Sequence, residues 1–311
     1  MGIERLCRAF RWGLVALSLW LGACGGAAEP MPYVDFNRRA PLATPRRTGV
    51  VPLRVGIAAV LSPQSSAEAY QELLQYLSHR LNRPVERVQR RDYRDMNVAI
   101  ARGEVDIAFI CTWAYVIGQR EHGFRLLAVP VVNGKPAYQS WVIVRADLPI
   151  YRMEDLRGRV FAFVDPLSNT GYLYPRYLVH QLGETPERFF RRTFFTYGHD
   201  RAIRAVAQGL ADGAAVDSLV FQFLLEREPE LAGKVRVIDR SPEFGAPPVV
   251  AAPHLAPVLQ AEIQALLLSA HEDPEGQPAL QAIGVERFVK GDDAWYEGVR
   301  RLEAAIASEE P

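Results

Sequence analysis

Ser168, Asn169 and Thr170 are three consecutive small side chains carrying hydroxyl and amide groups, set in the run Asp165-Pro166-Leu167-Ser168-Asn169-Thr170-Gly171-Tyr172. The run follows Val160–Val164, an apolar stretch that reads as a buried strand, and precedes Tyr172–Leu182, which reads as a helix. At such a strand-to-helix turn one of the three side chains can cap the helix, and the first N–H groups beyond it have no partner within the helix. Hydroxyls, amide and N–H groups converging there make a pocket for an oxyanion. The same residues also suit an ordinary N-cap with spare hydroxyls, and the turn alone leaves both readings open.

Other donors follow other strands. Ser62, Ser65 and Ser66 come after the first strand, where they reach either a small ligand or the N–H groups of the helix that begins there. Cys111, Thr112 and Trp113 come after the third. Tyr93 and Tyr115 sit at helical spacing, as core aromatics or as phenol donors to an oxyanion. Asp217 has the position of a strand-closing helix cap, and Asp165 is expected to order its turn, since a carboxylate beside an anionic ligand repels it.

The composition narrows the chemistry. Lysine plus arginine total 36 and aspartate plus glutamate 36, a balance that gives no footprint for nucleic acid. With 3 cysteines, at positions 7, 24 and 111, and no closely spaced histidine pair, neither a structural zinc site nor any other cofactor site is expected. No nucleophile–base pair, metal-ligand spacing or glycine-rich nucleotide loop accompanies the Ser-Asn-Thr turn, so catalysis is not expected.

The elements that position these residues begin after a leader. Arg5, Arg8 and Arg11 form a basic region, Trp12–Leu21 an apolar one too short to span a bilayer, and Leu21-Gly22-Ala23-Cys24 ends it. That ending resembles a bacterial lipobox, which makes 1–24 a lipoprotein signal peptide and Cys24 the lipidated residue of the mature chain. Residues 25–50, rich in Ala, Pro and Arg and without periodicity, read as a flexible tether of about 25 to 30 Å mean reach.

From Leu53 the pattern alternates strand and helix: strands at 53–58, 85–88, 106–110 and 125–131, helices at 67–81, 92–101 and 112–119. A strand at 138–144 leaves this unit, and the alternation starts again. Strands at 160–164, 193–196, 214–216 and 235–239 are interleaved with helices at 172–182, 200–208 and 218–226. A strand at 249–252 and helices at 258–270, 278–283 and 294–307 then return to the first unit. The expectation is two lobes, 51–144 plus 247–311 and 145–246, each an open, mostly parallel sheet flanked by helices. Ligands of such sheets bind beyond the carboxyl ends of the strands.

Four motifs in order, Val105-Asp106-Ile107-Ala108-Phe109, the Asp165–Tyr172 run, Gly198-His199-Asp200 and Gly213-Ala214-Ala215-Val216-Asp217-Ser218, resemble the phosphate/phosphite/phosphonate class of periplasmic substrate-binding proteins of ABC importers. The resemblance covers about Leu53 to Phe288. It implies a type II periplasmic-binding-protein fold with an inter-lobe ligand cleft, no enzymatic activity, and three partners: a small oxyanion, an inner-membrane permease and, through the lipid, the membrane. It implies a place on the periplasmic side of the envelope. The family's anion-gripping turn lands on Ser168, Asn169 and Thr170, its histidine on His199 and a tyrosine on Tyr93. A second family tyrosine lands on Ile110, leaving Thr112 or Tyr115 to replace it; Ser62 completes the candidate set. The carboxylates that hold a ligand amine in aminophosphonate binders land on Leu219 and Pro247, which disfavours a 2-aminoethyl ligand. Two alternatives remain beside an importer component: a sensory lipoprotein of the same fold that signals to a membrane kinase, and an enzyme acting on a small phosphorylated or carboxylated molecule.

Overall fold

The computed structural model describes residues 50–307 apart from Ala59. Cys24, the signal segment and the tether up to residue 49 lie outside the described residues. In chain order, β1 (Leu53–Ile57), β2 (Val85–Gln89), β3 (Ile107–Phe109) and β4 (Arg125–Val131) are separated by the helices Pro63–Arg80, Tyr93–Ala101 and Thr112–His122. β1 lies between β2 and β3 and runs parallel to both. The inner strands β1 and β3 are buried because helices cover both sides: Val55 and Ile57 pack with Leu73 and Leu77 on one face, Ala108 with Met96 and Ile100 on the other.

After the short β5 (Ala137–Tyr138), the second sheet is built from β6 (Ser140–Arg145), β7 (Val160–Phe163), β8 (Arg192–Phe195), β9 (Gly213–Asp217) and β10 (Val235–Arg240), in the order β10-β6-β9-β7-β8. β11 (Phe244–Gly245) then pairs with β5, and β12 (Val249–Ala251) enters the first sheet antiparallel between β3 and β4, with β13 (Arg287–Val289) outside β4.

One boundary differs from the expectation. Residues 140–145 belong to the second lobe, where β6 runs antiparallel to both β9 and β10. The cause is visible in its side chains: Val142 and Val144 pack on one face of the second sheet and Ile143 on the other, so the centre of the strand is buried in that lobe. The first crossing is therefore at Gln139, not near residue 145. Both crossings lie side by side, as the two-residue strands β5 and β11 form an antiparallel ribbon of their own.

The expected long strand at 138–144 is broken at Gln139, whose N–H donates to Ser218 Oγ at 3.0 Å. β13 is an addition to the expected strands. The helix expected at 172–182 begins three residues early, as a π-helical turn over Asn169–Leu173 that runs into the Tyr174–Gln181 helix. The last helix, Glu297–Ala307, rests on elements of both lobes: Val299 and Ile306 share one apolar cluster with Tyr115 and Val116 of the first lobe and Leu173 and Tyr174 of the second.

Candidate functional site

The carboxyl ends of β1, β3, β7, β8 and β9 bring their loops into one region between the two sheets. The β7 loop is held from within. Ser168 is the cap: its Oγ accepts from Gly171 N–H at 2.9 Å, and its carbonyl accepts from Leu173 N–H. Asp165 Oδ1 accepts from Leu167 N–H at 2.8 Å. Gly171 is required, because a Cβ there would come within 2.5 Å of Val164.

With the capping done by Ser168, the next two side chains are released from it. Ser168, Asn169 and Thr170 are all fully buried, yet Thr170 Oγ1 and Asn169 Oδ1 have no hydrogen-bond partner among the described residues. Asn169 Nδ2 donates to the Tyr138 hydroxyl at 3.2 Å. Rotating that amide by half a turn leaves its shape unchanged, lets Oδ1 accept from the Tyr138 O–H and turns the NH2 group to the unpartnered side.

His199 opens the helix His199–Ala207 after β8 and is buried. Its Nδ1 accepts from Asp217 N–H at 3.0 Å, so the ring hydrogen is on Nε2. Burial lowers its pKa to about 3, and it is a neutral donor at ordinary pH. Asp217 caps the following helix, accepting from the Leu219 and Val220 N–H groups, and burial pushes its pKa up to about 7.

From the first lobe come Tyr93, Cys111 and Thr112, all buried. The Tyr93 phenol is pushed well above 10 by burial, and further by Cys111, Asp165, Asp217 and Tyr138. Burial likewise raises the Cys111 thiol to about 11, against backbone hydrogen bonds from Asn169 and Trp113.

Two candidates are placed elsewhere. The Tyr115 hydroxyl donates to Asp293 Oδ1 at 2.7 Å and its ring packs edge-on against Tyr296, so it joins the turn before the last helix to the first lobe. The Ser62 hydroxyl is 2.9 Å from Ser65 Oγ, and its N–H is bound to Asp200, at a contact between the lobes. Thr112 is buried beside Cys111, and its Oγ1 donates to Gly245 O at 3.3 Å. Tyr138 was not among the expected residues. It ends the short β5, and apart from its pairing in the ribbon nothing in the local sequence distinguishes it from a core aromatic; its role follows only from the crossing.

A sequence model of the family described as "ABC transporter, phosphonate, periplasmic substrate-binding protein" matches residues 55–296. The chain belongs to this family. Among its relatives, the phosphate-import protein PhnD of Mycolicibacterium smegmatis is 27% identical over 239 residues, 72% of this chain and 70% of the relative. The phosphonates-binding periplasmic protein of Escherichia coli is 26% identical over 255 residues, 80% and 75% respectively. A binding-protein component of an ABC phosphonate transporter from Pseudomonas aeruginosa superposes with a TM-score of 0.76 at 25% identity, covering 81% of this chain and 85% of that one. The two-lobed α/β fold is thus that of the phosphonate-binding family, whose members are the periplasmic solute-capturing components of importers.

Proposed function

We propose that this chain captures a small phosphonate, phosphite or phosphate ion between its lobes and presents it to an inner-membrane ABC permease, anchored by lipid on Cys24. Ser168, Asn169 and Thr170 grip the anion from the second lobe with the Nε2–H of His199, and Tyr93 and Thr112 close on it from the first. The observation that carries this reading is the buried, unpartnered hydroxyl of Thr170, beside the free end of the Asn169 amide where the turned NH2 group is a donor, on a turn whose capping is already done by Ser168. A buried polar group without a partner costs about 1 to 3 kcal/mol, and an oxyanion supplies the missing partner for the Thr170 hydroxyl.

Binding works by closure. The polar contacts between the lobes include Tyr93 N–H to Asp165 Oδ2 at 3.1 Å, His199 N–H to Val60 O at 2.9 Å, Ser62 N–H to Asp200 Oδ1 at 2.9 Å and Asn133 Nδ2 to Gln222 Oε1 at 3.2 Å. The β5–β11 ribbon is the natural hinge, since it belongs to neither large sheet and both crossings between them run beside it. Neutral donors hold the ion, which is returned chemically unchanged. Calorimetric titration with phosphate, phosphite and methylphosphonate, with product analysis by phosphorus NMR, tests the proposal. Saturable binding with full recovery is expected; no binding of any of the three, or turnover of one, rejects it.

A further inference from the structure

Beyond the anion site, between the lobes, lies a cavity of about 520 Å³. Ala58, Ile110 and Asp217 are among its lining, and two of these adjoin the residues of the anion site: Ile110 precedes Cys111 and Thr112, and Asp217 N–H holds His199. The walls are mainly apolar, with Ser66, Asn133, Gln222, Gln277 and Gln281 as the uncharged polar side chains among them. Tyr70 stands edge-on to Phe109 with ring centroids 5.1 Å apart, and Leu219, Val220, Phe223 and Pro247 continue the lining from the other side. Among the described residues no lysine or arginine lines the cavity. The exposed carboxylates Glu226 and Glu286 stand at its rim, and Glu286 accepts from Gly134 N–H.

A bare phosphate or phosphite needs none of this space, which is of the size that holds an organic ligand of moderate bulk. A second anionic group on the ligand finds no lysine or arginine in the described walls, and the His271 imidazole there already faces Glu272 through Nε2 at 3.7 Å. The carboxylate of Asp217 has its Oδ1 committed to two backbone N–H groups of the helix it caps. What the walls offer is apolar area, and area of that kind selects for hydrocarbon.

We infer that this chain selects phosphonates bearing an uncharged apolar substituent, with the phosphonate oxygens at the Ser168–Thr170 turn and the alkyl or aryl group in the cavity walled by Leu219, Pro247, Tyr70 and Phe109. The inference rests on the oxyanion reading above and adds the substrate class to it. The gain is graded: each methylene moved from water into the cavity improves affinity by about fourfold while the chain remains inside. Propylphosphonate and 2-aminoethylphosphonate are nearly equal in shape, so their ratio isolates the effect of charge on the substituent.

Calorimetric titration of phosphite and of methyl-, propyl-, hexyl- and 2-aminoethylphosphonate against the mature protein tests the inference. Affinity is expected to rise from methyl to hexyl by about a hundredfold or more, with propylphosphonate at least about tenfold tighter than its aminoethyl counterpart. Leu219→Trp, which fills the cavity, is expected to erase the gain of hexyl over methyl and leave phosphite affinity within about threefold of the parent. Binding of phosphite and methylphosphonate with affinity flat or falling along the alkyl series, or preference for the aminoethyl ligand, overturns the inference and leaves the oxyanion reading intact. If no member of the series binds, the oxyanion reading falls and takes the inference with it.

Discussion

The Ser62 N–H donates to Asp200 Oδ1 at 2.9 Å, joining the loop after β1 in one lobe to the first turn of the His199–Ala207 helix in the other. Asp200 is buried, and its carboxyl is held below the ordinary carboxylate range, against the cost of burial, by hydrogen bonds from Ser62 and Arg204. Gly198 permits the approach, since a Cβ there would lie 2.9 Å from Asp200 Oδ1 and 3.3 Å from Ser62 N. Such a contact exists only when the lobes are together, so its free energy adds to closure and not to the integrity of either lobe.

Asp200→Ala is therefore expected to weaken ligand binding by about tenfold or more, the worth of one hydrogen bond to a charged acceptor. Arg204 keeps Glu228 as a partner at 2.6 Å, so its guanidinium is not left unpaired. Small-angle scattering checks the mechanism: the unliganded variant should be more expanded than the unliganded parent, and saturating ligand should bring both to the same radius of gyration. Equal affinity and equal scattering would mean that the Ser62–Asp200 contact does not report closure.

The Ser168–Thr170 turn separates capping from binding residue by residue. Thr170→Val keeps the shape of the side chain and replaces an unpartnered hydroxyl by a methyl group, so folding stability should hold or rise. Affinity should fall about ten- to a hundredfold, because the lost group donates to a charged oxygen. Ser168→Ala should lower stability by about 1 kcal/mol through the lost cap and lower affinity as well. Denaturant unfolding and calorimetry on the two variants measure both quantities. A Thr170→Val protein that loses stability and keeps its affinity would place the hydroxyl in the fold and not in the site.

Much of this arrangement is legible in the sequence, because open α/β sheets follow local rules. Apolar runs such as Val160–Val164 mark strands buried on both faces, and Ser168 and Asp217 announce helix starts by residue type. The sheet to which Ser140–Arg145 belongs is not legible. Its alternation of Val142, Ile143 and Val144 fits either lobe, and the choice is made by pairing with β9 and β10, roughly 70 to 95 residues downstream. Tyr138 escapes notice for the same reason, since its neighbour Asn169 arrives only when the second lobe folds back onto the crossing. Tyr115 shows the converse error: a phenol in the right helix, whose hydroxyl turns outward to Asp293.

Anchoring is tested at the other end of the chain. Cys24 follows a short apolar segment and the small residues Gly22 and Ala23, and Cys24→Ser should move the protein from the membrane fraction to the soluble periplasmic fraction. Mass spectrometry of the parent should find a diacylglyceryl group on the mature N-terminus. Retention of the Ser variant in the membrane, with an unmodified parent cysteine, would leave the chain exported and unanchored.

The pH dependence of binding turns on Asp217. Burial raises its pKa from 3.8 in the unfolded chain to about 7, so between these values the closed protein keeps a proton that the unfolded chain has lost. That protonation stabilises the folded state fully below about pH 4, and its contribution is lost as the pH rises through 7. A bound oxyanion brings further negative charge close to Asp217 and raises the value again, so binding takes up a proton near neutrality and affinity should fall as the pH rises from about 7 upward. Asp217→Asn keeps an acceptor for the Leu219 and Val220 N–H groups and has no proton to exchange. Because the ligand also titrates, the informative quantity is the parent-to-variant ratio of dissociation constants, measured with methylphosphonate from pH 5.5 to 8.5, a window set by the pKa of about 7. The ratio should be near its lowest at the acid end and climb through neutrality. A ratio independent of pH would show that the Asp217 carboxyl does not feel the ligand, and would move the anion away from the end of β9.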